Sequence, residues 1–352
     1  MTKINLMKAV YSYFFPEVRP LVHFGEKLPE ELFLTSTSIE EADEILNRLF
    51  KNEFKAPSID GKIDLDMIHV PVIENIVKSY SSIVPNLKDF KFSYPMAGSS
   101  QGIFHLLSLL KSNGIDTIYT LEGEYEGYKE YGKTINMQNI EINSNTKNIK
   151  PGVWFISNPS ARDGNIISNN FINNLCDNGH KVILDLAYLG LTKDYKFDLS
   201  HENIIATTIS FSKPYGVFRF RIGGFTFSRT PIDSLYANKW FKDVPRLLTS
   251  LKIVEEIPLG TLYTKYRPIQ EEIISRINRE LSLEMKASDV ILLGNISSEN
   301  AKKMEDKTLE EISLFKRGNV YRFCLTPYFE QMEMEDKKWK QELKPERTPA
   351  LI

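Results

Sequence analysis

The stretch NIIATTISFSKPYGVFRFRIGG, residues 203–224, opens with a β-branched run that is typical of a buried strand. The run ends in Ser210, Ser212 and Lys213, and Arg221 follows eight positions after the lysine. A lysine just past a strand is ordinarily a solvated loop residue. Here it lies between hydroxyl side chains and an arginine, and such groups together suit an anion bound beside an amine. The stretch therefore predicts a strand that leads into a ligand-binding loop.

The residues before this stretch alternate between strand-like and helix-like segments. The strand-like runs are IDTIYTL (115–121), GVWFIS (152–157) and KVILDLAY (181–188), and EGYKEYGK (126–133) and ISNNFINNLCDNG (167–179) lie between them. This alternation predicts an α/β fold with a mainly parallel sheet covered by helices on both faces. Ligands of such sheets bind beyond the carboxyl ends of the strands, which is where Lys213 is expected to lie.

The flanking segments predict a second, smaller domain. VPRLLTSLKIVEEI (244–257) and YRPIQEEIISRINRELSLE (266–284) are typical of amphipathic helices. A strand, a helix and a strand are then predicted over DVILLGN (289–295), SENAKKMEDK (298–307) and NVYRFCLTP (319–327), and further helices over residues 38–52 and 69–84. We expect a large domain over residues 60–250 and a smaller α+β domain built from both chain ends, residues 1–59 and 251–352.

The composition narrows the class of protein. The chain has 352 residues, of which 26% are charged, and a formal net charge of −2, which gives no electrostatic case for nucleic acid. Its five histidines and two cysteines show no spacing of metal ligands, so no metal site is expected. No apolar run approaches the roughly 18 residues of a membrane span, and no export signal is evident. The sequence therefore predicts a cytoplasmic protein without membrane contact.

Other predicted strand ends supply further polar groups. Ser99 and Ser100 precede an apolar helix, where they either cap it or help its free amides to bind a phosphate. Tyr125 follows a strand, and its ring either stacks on a flat cofactor or packs against other side chains of the protein. Asp185 ends an apolar strand, and Tyr188 follows it; a buried carboxylate is costly unless a cation or strong donor meets it.

Pyridoxal 5'-phosphate requires all of these groups at once. Its aldehyde requires a lysine for a Schiff base, its ring nitrogen requires a carboxylate, and its phosphate requires amides, hydroxyls and an arginine. Each feature is weak alone, but their order on successive strand ends favours this cofactor. A nucleotide site is not supported, because the chain has neither GxGxxG nor GxxxxGK[ST].

Over roughly residues 65–330 the chain resembles the fold-type I pyridoxal-phosphate enzymes of the aminotransferase class I/II family, which includes aspartate and histidinol-phosphate aminotransferases. The most specific motif is SFSKPYGVFRFRIGG, residues 210–224. The resemblance implies that Lys213 forms the Schiff base and is the catalytic base, and that Arg221 binds the phosphate. It assigns further cofactor contacts to Ser99, Ser100, Gln101, Tyr125, Asp185, Tyr188, Ser210 and Ser212.

In this resemblance Asp185 is the partner of the ring nitrogen, Tyr188 donates to the ring 3'-oxygen and Tyr125 stacks on the ring. NVYRFCL resembles the family strand whose arginine binds the substrate α-carboxylate, which makes Arg322 the candidate for that role. The alternative for Arg322 is a surface arginine on an edge strand.

The chain departs from the family pattern at two places. The family commonly reads N-P-x-N-P-T-G, with its second asparagine bonded to the ring 3'-oxygen, whereas residues 158–164 read NPSARDG. If Asn158 aligns with that asparagine, it keeps the role; if Gly164 aligns without a gap, Ala161 occupies the position. KAPSIDGKIDLDM, residues 55–67, lacks the tyrosine that often reaches the phosphate of the neighbouring subunit in the family.

The resemblance implies an aminotransferase that moves an amino group between an amino acid and a keto acid through a Lys213 Schiff base, and it implies a homodimer. Three reactions with the same cofactor stay open, namely those of a decarboxylase, a C-S lyase and an oxidase. A non-catalytic aminotransferase-like binding protein is the further alternative. The sequence does not name the substrate side chain.

Overall fold

The computed structural model describes residues 12–23, 25, 66–146, 149–235 and 243–336. The helix predicted over residues 38–52 and most of the segment 55–67 lie outside the described residues. The part of the chain that is described contains two β-sheets, one of seven strands and one of four.

The larger sheet has the order β1-β7-β6-β5-β4-β2-β3. Its strands are β1 (Phe92–Met96), β2 (Thr117–Leu121), β3 (Gln138–Ile142), β4 (Val153–Ser157), β5 (Lys181–Leu186), β6 (Ile204–Ser210) and β7 (Gly224–Ser228). Strands β3, β2, β4, β5 and β6 pair in parallel, and β7 pairs antiparallel with both β6 and β1. The predicted α/β fold with a mainly parallel sheet is therefore confirmed.

Helices cover both faces of this sheet. They include α1 (Asp66–Tyr80), α2 (Ser99–Ser112), α3 (Glu126–Thr134), α4 (Asn169–Asp177) and α5 (Val244–Glu256). Because side chains alternate along a strand, Trp154 and Ile156 of β4 enter one apolar core, while Val153 and Phe155 enter the other. A strand buried on both faces explains the unbroken apolar run GVWFIS.

The four-stranded sheet follows later in the chain, with the order β10-β11-β9-β8 and antiparallel pairing throughout. Its strands are β8 (Lys286–Ala287), β9 (Leu293–Ser297), β10 (Lys316–Arg317) and β11 (Val320–Cys324). The helices of this part are α6 (Thr261–Leu281), α7 (Ser298–Ala301), α8 (Asp306–Ile312) and α9 (Thr326–Asp336). The division into domains at residues 60 and 250 stays a prediction.

Two predicted elements of this part differ from the structure. The predicted helix over residues 298–307 is broken, because α7 ends at Ala301 and α8 begins only at Asp306. The strand predicted from residue 289 begins at Leu293. Before it, Val290 and Ile291 donate their amides to the carbonyls of Gly164 and Leu191 in loops of the larger sheet.

Residues 12–23 lie against the helices that follow the large sheet. The ring centroid of Phe15 lies 4.7 Å from that of Tyr266 in α6, and that of Tyr13 lies 5.7 Å from that of Phe329 in α9. This packing brings Ser12 to the loop after β6. In the described part of the chain, no helix combines the length and apolar character needed to cross a bilayer.

Candidate active site

A cavity of about 400 Å³ lies at the carboxyl ends of β4, β5 and β6. Sequence reasoning proposed twelve site residues, and all but Gln101 and Asn158 line this cavity. The ten are Ser99, Ser100, Tyr125, Asp185, Tyr188, Ser210, Ser212, Lys213, Arg221 and Arg322. Residues up to 223 positions apart in the chain, Ser99 and Arg322, therefore meet in one place.

Lys213 lies between two aromatic rings on the cavity wall. Its Nζ is 4.3 Å from the ring centroid of Tyr188 and 5.7 Å from that of Tyr125. The turn that carries it is fixed from two sides: the Ser212 amide donates to Ser210 Oγ at 3.2 Å, and Ser12 Oγ donates to the Ser212 carbonyl at 2.7 Å. The lysine therefore extends from a backbone that is held by hydrogen bonds.

Asp185 is a buried carboxyl with only 4% of its surface exposed. Thr208 Oγ1 donates to its Oδ1 at 2.9 Å, and Tyr128 Oη donates to its Oδ2 at 3.1 Å. Burial raises the pKa of Asp185, and the positive charge of Lys213 and these hydrogen bonds oppose the rise. The sequence analysis proposed neither donor. For Thr208 there was one signal, the pair of threonines in the middle of the apolar run of β6, and for Tyr128 there was none.

The start of α2 and Arg221 form the anion-binding side of the cavity. Arg221 Nη2 donates to Ser100 Oγ at 3.2 Å, and the amides of Ser99 and Ser100, the first two residues of the helix, precede the first carbonyl to which a helical amide can bond. Gly98 precedes the helix with φ of 127°, and a Cβ there would lie 2.8 Å from Arg221 Nη2. Glycine at this position therefore leaves the space beside the guanidinium open.

Gln101 and Asn158 make backbone contacts outside this cavity. Gln101 Oε1 accepts a hydrogen bond from the Ala97 amide at 2.9 Å. The Asn158 side chain donates to the Ile167 carbonyl at 2.9 Å and accepts from the Ile167 amide at 3.0 Å. Ala161, the other candidate for the asparagine position, lines the cavity. Of these two residues, Ala161 lines the cavity and Asn158 does not, and the choice between the two alignments stays a prediction.

A buried carboxyl behind the cavity, Glu124, joins two of its walls. It accepts hydrogen bonds from the Tyr125 amide at 3.0 Å, the Ser157 amide at 3.2 Å and the Ser157 hydroxyl. Ser157 Oγ in turn accepts from the Ala161 amide at 2.6 Å, and Arg322 Nη1 donates to the Ala161 carbonyl. Burial raises the pKa of Glu124. Nothing in the sequence distinguished Glu124 from its neighbouring glutamates.

Two arginines of the small sheet reach the cavity. Arg322 lies in β11, between β10 and β9, and is only 4% exposed, so it is not a surface residue of an edge strand. Arg317 in β10 also lines the cavity, and its Nη2 is 3.5 Å from Glu126 Oε1. Sequence reasoning proposed only Arg322. In the described ranges, no three histidine, cysteine or acidic side chains group in a way that could hold a metal ion.

Comparison with known proteins agrees with this architecture. The family model described as aminotransferase class I and II matches residues 97–253. No curated protein matches the sequence. An aminotransferase from Staphylococcus aureus superposes with a TM-score of 0.60 at 13% identity, over 96% of this chain and 93% of that one.

Two further solved structures contain pyridoxal phosphate. A C-S lyase from Staphylococcus hominis has a TM-score of 0.61 at 13% identity and covers 94% of this chain and 89% of its own. A histidinol-phosphate aminotransferase from Sinorhizobium meliloti has a TM-score of 0.56 at 12% identity, and the superposition covers 91% of this chain and 85% of that one. Residues 97–253 are therefore similar to the aminotransferase class I and II family, a family that uses pyridoxal phosphate, and the chain has the fold type I architecture.

Proposed function

We propose that the protein is a pyridoxal-phosphate-dependent aminotransferase that moves an amino group between an amino acid and a keto acid. The observation that carries the proposal is the single cavity in which Lys213, the buried Asp185 and the Arg221–Ser100 pair meet. These are an amine, a carboxyl and an anion-binding group, and each matches a different part of the cofactor.

The residues present fit this cofactor. Tyr188 Oη and Ser212 Oγ are buried and have no hydrogen-bond partner among the described residues, which is costly unless a ligand supplies one. Gly98 leaves space beside Arg221. We assign the ring nitrogen to Asp185, the ring 3'-oxygen to Tyr188, the ring face to Tyr125 and the aldehyde carbon to Lys213. The phosphate is assigned to Ser99, Ser100, Ser210, Ser212 and Arg221.

When bound, the cofactor supplies an electron sink for the negative charge that develops at the substrate α-carbon. The residues of the chain provide orientation and proton transfer. Thr208 and Tyr128 hold the Asp185 carboxyl in one orientation, so that it can pair with a protonated ring nitrogen. Lys213 Nζ takes the proton from the substrate α-carbon as a general base. Arg322 binds the substrate α-carboxylate through charge-assisted hydrogen bonds and fixes the direction of the bond that breaks.

Ala161 gives a reason to keep a second candidate function. If Ala161 occupies the asparagine position, Tyr188 is the one side chain that we assign as a donor to the ring 3'-oxygen. A changed donor set alters the electronics of the ring, so a C-S lyase, a decarboxylase or an oxidase with the same cofactor remains the alternative. One solved structure of this fold is an L-threonine-O-3-phosphate decarboxylase from Porphyromonas gingivalis, with a TM-score of 0.50 at 16% identity.

The test begins with pyridoxal phosphate added to the purified protein. We expect a visible absorption band with wild type and with the control Lys150→Ala, an exposed lysine, but none with Lys213→Ala. A panel of amino acids with a keto acid is then added, and both products are measured. Amino transfer supports the main proposal, whereas ammonia, carbon dioxide or sulfide supports the alternative. Full turnover by Lys213→Ala contradicts both. We also expect a homodimer, as in the family.

A further inference from the structure

Residues 12–23 form an N-terminal strap that lies against the turn carrying Lys213. Ser12 Oγ donates to the Ser212 carbonyl at 2.7 Å. Gly216, three residues after the lysine, has φ of 74°, and a Cβ there would lie 2.2 Å from a carbonyl oxygen of the strap. Glycine allows this approach because it has no Cβ. The backbone of the strap therefore touches the backbone of the turn.

The other side of the strap is held by α9. Arg19 Nη1 and Nη2 donate to the two carboxylate oxygens of Glu333, each at 2.7 Å. Tyr13 Oη also donates to Glu333. From Nε and Nη2 the same guanidinium donates to the Phe14 carbonyl, at 3.0 Å and 2.9 Å. A guanidinium that binds both oxygens of one carboxylate has a fixed orientation, so Arg19 ties the first residues of the strap to α9.

The hydrogen bond from Ser12 acts on the peptide group that joins Ser212 to Lys213. Ser12 is 3% exposed, and no other group of the described residues donates to the Ser212 carbonyl. Because a peptide group is planar, a fixed carbonyl also fixes the position of the Lys213 amide and Cα. The lysine side chain is a flexible four-carbon stem, so its main chain sets the region that Nζ can reach. In the structure Nζ lies 4.3 Å from the ring centroid of Tyr188.

We propose that Ser12 is a positioning residue for Lys213, and that α9 acts on Lys213 through the Arg19–Glu333 ion pair and the N-terminal strap. The inference rests on the proposed function, which gives Lys213 its role. Ser12 acts through the backbone, since its hydroxyl hydrogen is directed to a carbonyl of the turn. Arg19 holds the Phe14 carbonyl, two residues after Ser12, and thereby holds Ser12 itself. The position of Nζ matters because a displacement of about 1 Å can slow a reaction about a hundredfold.

The first measurement is hydrogen exchange by mass spectrometry on the protein without cofactor. We expect Ser12→Ala to raise the exchange rate of the amides in residues 211–216 about tenfold, because a buried carbonyl of the turn loses its donor. Peptides from β4 should exchange as in wild type. Ser12→Thr keeps a hydroxyl and should keep the slow exchange. The control is Ser313→Ala, which removes an exposed hydroxyl that also bonds a backbone carbonyl, and it should match wild type.

The second measurement is the rate at which the visible absorption band forms after rapid mixing with pyridoxal phosphate. We expect the band to form about tenfold more slowly in Ser12→Ala, because Nζ is no longer held in place. Arg19→Gln should also slow it, whereas Arg279→Gln, an exposed arginine at the end of α6, should not. In the double variant Ser12→Ala/Arg19→Gln the rate should equal that of Ser12→Ala, because both substitutions act through one hydrogen bond.

Two outcomes overturn the proposal. Exchange of residues 211–216 within about twofold of wild type in a folded Ser12→Ala overturns the role of Ser12. Effects that multiply in the double variant, or a wild-type rate in Arg19→Gln, overturn the link to α9. If Ser12→Ala does not fold, Ser12→Cys decides by the same criteria, because its thiol is only a weak donor. Absence of a visible band in wild type overturns the proposed function instead, and hydrogen exchange still tests Ser12.

Discussion

Replacing Ser157 by alanine should destabilise the protein through the buried network behind the cavity. Ser157 is 1% exposed, and its hydroxyl both donates to Glu124 and accepts from the Ala161 amide at 2.6 Å. In the variant Glu124 still accepts from two backbone amides, so the loss of the hydrogen bond from the Ser157 hydroxyl costs about 1 kcal/mol. The Ala161 amide loses its partner in a buried position, which costs about 2 kcal/mol. The expected total is about 3 kcal/mol.

The free energy of unfolding is measured by equilibrium urea titration, followed by far-ultraviolet circular dichroism. The control is Ser108→Ala on α2, where the hydroxyl bonds the Phe104 carbonyl on an exposed face and water can replace it. We expect that control to change stability by less than about 0.5 kcal/mol. A difference of less than about 1 kcal/mol between the two variants would refute the reasoning, because it would show that Ser157 does not satisfy buried groups.

Two further predictions concern the cavity and its buried acid. Gly98→Ala should weaken pyridoxal-phosphate binding about tenfold in an absorbance titration, because its Cβ would crowd Arg221; Gly114→Ala, also at positive φ but in open space, should not weaken it. The raised pKa of Glu124 means that the folded protein keeps this proton to a higher pH than the unfolded chain, so stability falls as pH rises from the ordinary carboxyl value through the raised pKa. Glu124→Gln removes that pH-dependent contribution. In urea titrations at several pH values, the free energy of unfolding of the variant minus that of wild type should therefore rise as pH increases across this interval. A difference that does not change with pH contradicts the prediction.

The fold could be predicted from the pattern of apolar residues along the chain. Runs such as GVWFIS are apolar on both faces, and the structure buries both faces of β4 in two cores. The same signal misplaced the start of β9. Val290 and Ile291 are fully buried, but their amides bond loop carbonyls at Gly164 and Leu191 rather than a neighbouring strand. An apolar run therefore indicates burial, and it indicates a strand only where the backbone pairs.

Most of the predicted site residues share one property, which is their position at the end of a strand or at the start of the helix after it; Arg221, in the loop before β7, and Arg322, within β11, are the exceptions. That position is local and can be inferred from the sequence. The supporting residues lack such a mark. Ser12 bonds the carbonyl of Ser212 from 200 positions away, and Tyr128 reaches Asp185 from a helix whose aromatic residues look like ordinary packing residues. Contacts of this kind depend on how the elements pack, which one sequence alone does not specify.

The loop of residues 158–164 shows the same limit at a single position. Asn158 was the conspicuous candidate because its amide could donate to a cofactor, but its side chain holds both backbone groups of Ile167. Ala161 contributes to the site through its main chain: its amide bonds Ser157, and its carbonyl accepts from Arg322. Every residue type other than proline offers those same main-chain groups. A polar role performed by the backbone leaves no trace in the identity of the residue, and for that reason the sequence could not choose between the two alignments.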